Sequence, residues 1–300
     1  METRDVLLVD AFAAAPMAGT PAGVVLDAGE LTDDQMAAIA AELGASATAF
    51  VCESDRADRR LRFFGPTGEL DRSDHATVAA HAALAERGLA DGEYTMETIG
   101  RTRDVELHED GTVWLEQGEV DSTAVPLEHD EVADALGIDV ATLRDVGADL
   151  PMAVADASEP WLLVPVNYFE HLSGLAPDLP AVDALCERVD AVGLYAFTFD
   201  TIDGASTLHG RAFAPGRGVS EEPITASAAG ACGAHVRREG ALDTTIEQVV
   251  VEGGHFLDRP GVVRVDTDGL EAWIGGRAVT TMDGSMTVPE SDADDDIIEV

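Results

Sequence analysis

Strand-like and helix-like stretches alternate along the chain. Asp5–Phe12 and Gly23–Leu26 read as strands, and Thr32-Asp-Asp-Gln35 forms a capping box that opens a helix towards Leu43. Ala47–Cys52 and Arg59–Gly65 read as strands again. An Ala-rich helix from about His75 to Glu86, ended by Gly88, precedes strands near Arg103–His108 and Thr112–Leu115. The order then repeats. A short helix near Asp130–Leu136 precedes strands at Trp161–Val166, Gly193–Phe197 and His209–Phe213, and a second small-residue helix is expected from Pro223 to Arg238, with proline in its first turn. Strands at Gln248–Glu252, Val262–Val265 and Ala272–Ile274 follow, with Asp266-Thr-Asp-Gly269 as a hairpin turn rather than a calcium loop.

The two small-residue helices change the picture from alternation to architecture. Ser73–Ala83 and Ser220–Ala231 each place acidic and hydroxyl residues before a run of Ala and Gly. Such a run lets backbone approach on every side, so the helix fits either inside a curled sheet or against a flat one. A helix N-terminus offers unpaired N–H groups and the positive dipole end, so either start could hold a substrate carboxylate. Two such starts suggest one pocket between two related halves.

Composition then sets limits. The 300 residues suit two domains, and the formal charge of −40 comes from 58 carboxylates against 18 basic residues, every one of them arginine. Without lysine, Schiff-base catalysis and pyridoxal phosphate attachment are excluded. A 46% hydrophobic content supports a core despite the charge, so the acidity reads as a salt-adapted surface in a high-salt cytoplasm. Nucleic acid and membrane are not expected as partners, because no arginine stripe offsets the negative surface and no apolar run approaches a membrane span. METRDVLLVDAF lacks the apolar core of a signal peptide, which predicts a soluble, unexported chain. Cys52, Cys186 and Cys232 are widely spaced with no metal-ligand pattern and read as buried free thiols. The acidic stretch Pro289–Val300 reads as a frayed tail.

The ordered set of motifs resembles the phenazine-biosynthesis PhzF-like isomerase family, a branch of the diaminopimelate epimerase-like fold. It comprises Val9-Asp-Ala-Phe12, Ala18-Gly-Thr-Pro-Ala-Gly-Val-Val25, Leu31–Ile39, Gly44-Ala-Ser-Ala-Thr-Ala-Phe-Val51, Leu61–Pro66 and Asp74–Leu84. In the second half it comprises Arg211-Ala-Phe-Ala-Pro215, Ser220–Gly230, Glu252–Pro260 and Trp273-Ile-Gly-Gly-Arg277. The resemblance implies an α/β (α+β) fold of two similar domains, each a curled, mostly antiparallel sheet around a central helix, with the site in the cleft between them. The expected domains are 1–119, completed by about 270–288, and 120–269. A homodimer is implied as well, and chemistry without a cofactor or metal: proton transfer beside the carboxylate or carbonyl of a small carboxylate substrate.

Departures from the family pattern fall at the site. The family's S-E-T-x-F-V reads Ser46-Ala-Thr-Ala-Phe-Val51, so Ala47 stands where the family has its catalytic Glu. G-H-P-T becomes Asp74-His-Ala-Thr77, and E-D-P-x-T-G-S-A becomes Glu221-Glu-Pro-Ile-Thr-Ala-Ser-Ala228, with Glu222 for aspartate and Ala226 for glycine. Racemase relatives carry a thiol at each helix start; Ser73 and Ile224 occupy those places here. The catalytic candidates are therefore Asp74, His75 and Glu222, with Ser46, Thr77, Thr225, Ser227 and Ala228 as substrate contacts.

Three readings follow. In the first, Asp74 and Glu222 form a relocated proton-transfer pair assisted by His75, their pKa values driven apart in a desolvated cleft; the bland alternative makes Asp74 an N-cap and Glu222 a first-turn acid. In the second, the loss at Ala47 leaves a metabolite-binding or regulatory module. In the third, the chain is an assembly partner with no small-molecule ligand. His75 is as readily structural as catalytic, and His81 and His235, inside their helices, read as structural.

Overall fold

The computed structural model describes residues 2–144, 146, 150–243, 245–268 and 271–289. The chain divides into two compact units: Met1–Met17, Pro21–Leu115 and Arg277–Val300 form the first, and Ala18–Thr20 with Glu116–Gly276 the second.

In chain order the first unit contains β1 (Glu2–Ala11), β2 (Thr20–Val25) from Pro21 onward, α1 (Asp33–Leu43), β3 (Thr48–Cys52), β4 (Arg59–Gly65), β5 (Gly68–Leu70), α2 (Asp74–Glu86), β6 (Gly92–Thr98), β7 (Arg101–Leu107) and the start of β8 (Val113–Glu119). The second contains β9 (Asp121–Ala124), α3 (His129–Leu136), α4 (Ala141–Arg144), β10 (Ala153–Asp156), β11 (Pro160–Pro165), α5 (Phe169–Ser173), α6 (Leu179–Arg188), β12 (Gly193–Thr198), β13 (Leu208–Ala214), β14 (Val219–Glu222), α7 (Ala226–Arg238), β15 (Val249–Gly253), β16 (Gly261–Asp268) and β17 (Glu271–Gly276). The chain then returns to the first unit as β18 (Ala278–Val288), which runs antiparallel to β1 from Ala11↔Ala278 to Glu2↔Val288.

Pairing within each unit is mainly antiparallel. β3–β4, β6–β7 and β7–β8 are antiparallel in the first, while β2–β3 and β4–β6 are parallel. In the second, β11–β12 and β13–β15 are parallel and β12–β13, β15–β16 and β16–β17 antiparallel.

The small-residue helices are enclosed rather than laid on a flat face. α2 buries Asp74 and every residue from Ala76 to Leu84, and it packs on β1, β3, β7 and β18. α7 buries Ala226–Val236 and packs on β10, β11, β15, β16 and β17. A Cβ on Gly230 would stand 2.8 Å from Ile274 Cγ2, and one on Gly233 3.0 Å from Val265, so the glycines let β16 and β17 approach the helix. A second core lies under α1, around Met36, Ile39, Phe50 and Phe64. In the second unit, α3 and α6 bury Val132, Leu136, Val182 and Leu185 with Leu162 and Phe213.

Several expectations change. α7 begins at Ala226, three residues after the expected start, so Pro223 precedes the helix and Glu222 ends β14 instead of lying in a first helical turn. The short or half-exposed elements β5, β6, β9, β10, β14, α4, α5 and α6, and the long β18, have no counterpart in the sequence reading. Cys186 and Cys232 are buried and free, whereas Cys52 is only half-buried. β16 and β17 pair as far as Asp268↔Glu271, but Gly269 of the expected turn lies outside the described residues, as do residues 290–300 of the acidic tail. No helix among the described residues is long and apolar enough to cross a membrane.

Candidate functional site

The first cluster of chemistry-bearing residues forms at the start of α2. Ser73 is its N-cap, accepting the Ala76 N–H at 3.3 Å, and His75 follows in the first turn. His75 Nδ1 lies 3.3 Å from Ser73 Oγ and Nε2 lies 3.3 Å from Ser46 Oγ. Ser46 is exposed between two enclosed neighbours, Ala45 at 6% and Ala47 at 1% exposure. The loop carrying it is fixed on both sides: Gly23 N–H donates to Ala47 O at 3.0 Å, and a Cβ on Gly65 would stand 3.0 Å from Ser46 O. The backbone is thus held and the hydroxyl is turned outward beside an imidazole.

Asp74 points elsewhere. Its Oδ2 accepts from Arg72 Nη2 and its Oδ1 from Arg103 Nη1, each at 3.0 Å, in a site where Asp74 is 7% and Arg103 4% exposed. Burial alone would push this carboxyl up, but the two guanidiniums outweigh it and hold it below the usual carboxylate range. A carboxylate so stabilised in its ionised form is a poor proton acceptor near neutral pH. Asp74 fits an anchor of the helix start better than a base. Thr77 is also committed, its hydroxyl donating to Ser73 O at 2.7 Å with the residue 1% exposed. His81 gives its Nδ1 hydrogen to Thr77 O at 2.9 Å, and burial lowers its pKa to about 4.

The second cluster precedes α7. Ile224 is clamped by Thr20, whose hydroxyl donates to Ile224 O at 2.8 Å and accepts Ile224 N–H at 3.1 Å. Arg259 holds the same strap through Gly19 O and Ala18 O. Thr225, the N-cap, makes no side-chain cap bond because its hydroxyl donates to Glu222 Oε2 at 2.7 Å. Glu222 and Thr225 line a cavity of about 10 Å³ with Tyr195, Gly210, Glu252 and Val263, a size that suits one water molecule. Ser227 accepts the Trp161 Nε1 hydrogen at 3.1 Å and faces Glu159 Oε2 at 3.4 Å, while Arg217 pairs with Glu159 at 2.9 Å. Ala228 is fully buried.

The sequence candidates therefore sort by what holds them. Ser46 and His75 come together, Glu222 and Thr225 come together, and Asp74, Thr77, Ser227 and Ala228 are absorbed by the protein's own packing. Arg72, Arg103 and Thr20 were not foreseen. Arg103 lies 29 residues from Asp74 and Thr20 lies 204 from Ile224, so no local pattern announces either contact. No group of three or more His, Cys, Asp or Glu placed to hold a metal occurs among the described residues.

An enclosed helix in each of two mainly antiparallel α/β units defines the epimerase-like fold class. A hydroxyproline epimerase of Agrobacterium vitis shares that fold, with a TM-score of 0.60 at 11% identity over 95% of this chain and 91% of that one. Residues 9–284 match the model of the PhzC-PhzF, phenazine biosynthesis-like protein family, and the chain belongs to that family. It is similar to the uncharacterized isomerase YfhB of Bacillus subtilis, 32% identical over 97% of this chain and 98% of the relative. It is also similar to the crystal structure of a PhzF-family phenazine biosynthesis protein of Bacillus anthracis, with a TM-score of 0.86 and 29% identity over 96% of this chain and all of that one.

Proposed function

We propose that this member of the PhzF-like isomerase family carries out cofactor-free proton transfer on a small carboxylate, with His75 as a proton carrier. The observation that carries the reading is the imidazole of His75, which is held at Nδ1 by Ser73 and bonded at Nε2 to the outward hydroxyl of Ser46. A carbon acid needs a positioned base, and the imidazole of His75 is placed to serve as one where alanine at position 47 cannot. Asp74 is given the supporting role of an ionised anchor, because its charge is already spent on Arg72 and Arg103.

The test is proton-to-deuterium exchange followed by NMR, in molar KCl and D₂O, with small carboxylates that include dihydro-hydroxyanthranilate and diaminopimelate. Exchange or isomerisation that disappears in His75→Gln supports the proposal. Exchange that survives His75→Gln removes the imidazole from the mechanism.

Ala47 favours a second reading, a metabolite-binding or regulatory module without turnover. On that reading no carboxylate in the panel exchanges, one of them raises the melting temperature, and Ala47→Glu creates activity on a family-type substrate. A homodimer in a high-salt cytoplasm belongs to the same proposal, and light scattering in molar KCl tests the dimer.

A further inference from the structure

We propose that Ser46 is a nucleophile and that the Ser46–His75–Ser73 chain gives the protein a second activity, acyl transfer from small activated esters. A nucleophilic serine is recognised by a base within hydrogen-bond reach and a third group that orients the base. All three parts are in place in the first unit. Ser46 Oγ lies 3.3 Å from His75 Nε2, His75 Nδ1 lies 3.3 Å from Ser73 Oγ, and Ser73 is itself fixed as the α2 cap through Ala76 N–H. Distances at the long end of hydrogen bonding are usual before substrate tightens such a site.

The tautomer follows from the assigned roles. With its hydrogen on Nδ1, donated to Ser73, the imidazole turns the Nε2 lone pair towards the Ser46 hydroxyl. The loop supplies the presentation: Ala45 and Ala47 are buried on either side, Gly65 packs against Ser46 O, and Gly23 holds Ala47 O, so the exposed hydroxyl projects from a rigid backbone.

The step balances without a co-reactant other than water. Ser46 Oγ bonds to the acyl carbon as its proton passes to His75 Nε2. The carbon–oxygen bond to the leaving group breaks, and the proton returns to the departing alkoxide. Water then attacks the acyl-serine, giving one proton to Nε2, which returns it to Ser46 Oγ as the acid departs. His75 is shared with the proton-transfer proposal, but the ester reaction does not depend on that proposal being right. The neutral Ser73 hydroxyl stands where serine hydrolases place a carboxylate, so turnover is expected to be slow; substituting that carboxylate in a serine protease lowers kcat by about 10⁴.

The experiment is labelling with a fluorophosphonate, in which the Ser46 oxygen–phosphorus bond forms as fluoride leaves, mapped by peptide mass spectrometry on the full chain in molar KCl. One label on Ser46, absent in Ser46→Ala and slowed at least about tenfold in His75→Gln, supports the proposal. p-Nitrophenyl acetate should show a burst that Ser46→Ala abolishes. Labelling elsewhere, or labelling of Ser46 at the same rate in a His75→Gln protein that melts like the wild type, overturns it. Deuterium exchange on carboxylates is a separate readout, so failure of one proposal is distinguishable from failure of the other.

Discussion

Asp74 shows how a single carboxylate in an acidic protein can be structural through its partners. Two guanidiniums meet its two oxygens in a buried site, and removal of one member of a buried ionic cluster leaves uncompensated charge that costs about 3–5 kcal/mol. Asp74→Asn should therefore lower the melting temperature at neutral pH, measured in molar KCl. Since the folded pKa is held below the unfolded value, this stabilisation is present above about pH 3.9 and is lost as pH falls through the folded value. The gap between wild type and Asp74→Asn should accordingly close in acid. His81 has the opposite origin and the same direction. Burial lowers its pKa to about 4, so the fold favours the neutral ring, and the benefit is present above about pH 6.5 and lost as pH falls towards 4. Calorimetry of wild type against His81→Gln should show the wild type losing about 3 kcal/mol of relative stability over that window. A difference between the two that stays constant with pH would show that His81 does not titrate in this way.

At the scale of elements, α7 shows what glycine does in a helix that is enclosed. Alanine at Gly230 would gain about 1 kcal/mol of helix propensity, but its Cβ would meet Ile274 Cγ2 at 2.8 Å. That atom is a branch at Cβ and cannot swing away, so overpacking of about 1–3 kcal/mol should dominate. Gly230→Ala is expected to lower the denaturant midpoint with little change in slope; an unchanged or raised midpoint would mean that β17 yields easily. The same helix marks how far the sequence could be read. α1 was legible down to its capping box because Thr32 and Gln35 are three residues apart and satisfy each other, with Thr32 accepting the Gln35 N–H and the Gln35 side chain accepting the Thr32 N–H. The start of α7 was not legible, because Pro223 suits a first turn locally, while Glu222 is drawn into β14 opposite Ala212 and Ile224 is held by Thr20. The site divides along the same line. Ser46, His75, Glu222 and Thr225 lie in recognisable motifs, but Arg103, which meets Asp74 from 29 residues away, is set by the pairing of β6 with β7, as β18 is set by ten residues of β1.

For the whole molecule the governing quantity is charge. Fifty-eight carboxylates and 18 arginines on one chain, with no lysine, give −40, and much of that repulsion acts between exposed side chains. The described arginines do not disperse it evenly, because several are already taken by chosen partners: Arg62 by Glu69 and Asp33, Arg211 by Glu221, Arg188 by Glu131. Mobile ions must therefore screen the rest. The Debye length is about 10 Å at 0.1 M salt and about 3 Å at 1 M, so neighbouring surface carboxylates repel across most of the surface at the lower value and hardly at all at the higher. The compact state concentrates this charge more than the unfolded chain does, which makes the penalty a folding penalty. Thermal melts should therefore rise steeply as KCl goes from 0.1 M to 2 M, and most of the gain should come before the Debye length falls below the spacing of surface charges. Sucrose at matched water activity separates screening from general exclusion at the surface, since it strengthens burial without screening charge. A melting temperature that rises equally in KCl and sucrose would assign the effect to exclusion and leave the acidic surface without a stability role. A rise confined to KCl, mirrored by a smaller salt dependence near pH 4 where many of the carboxylates are protonated, would assign it to repulsion among the 58 acids.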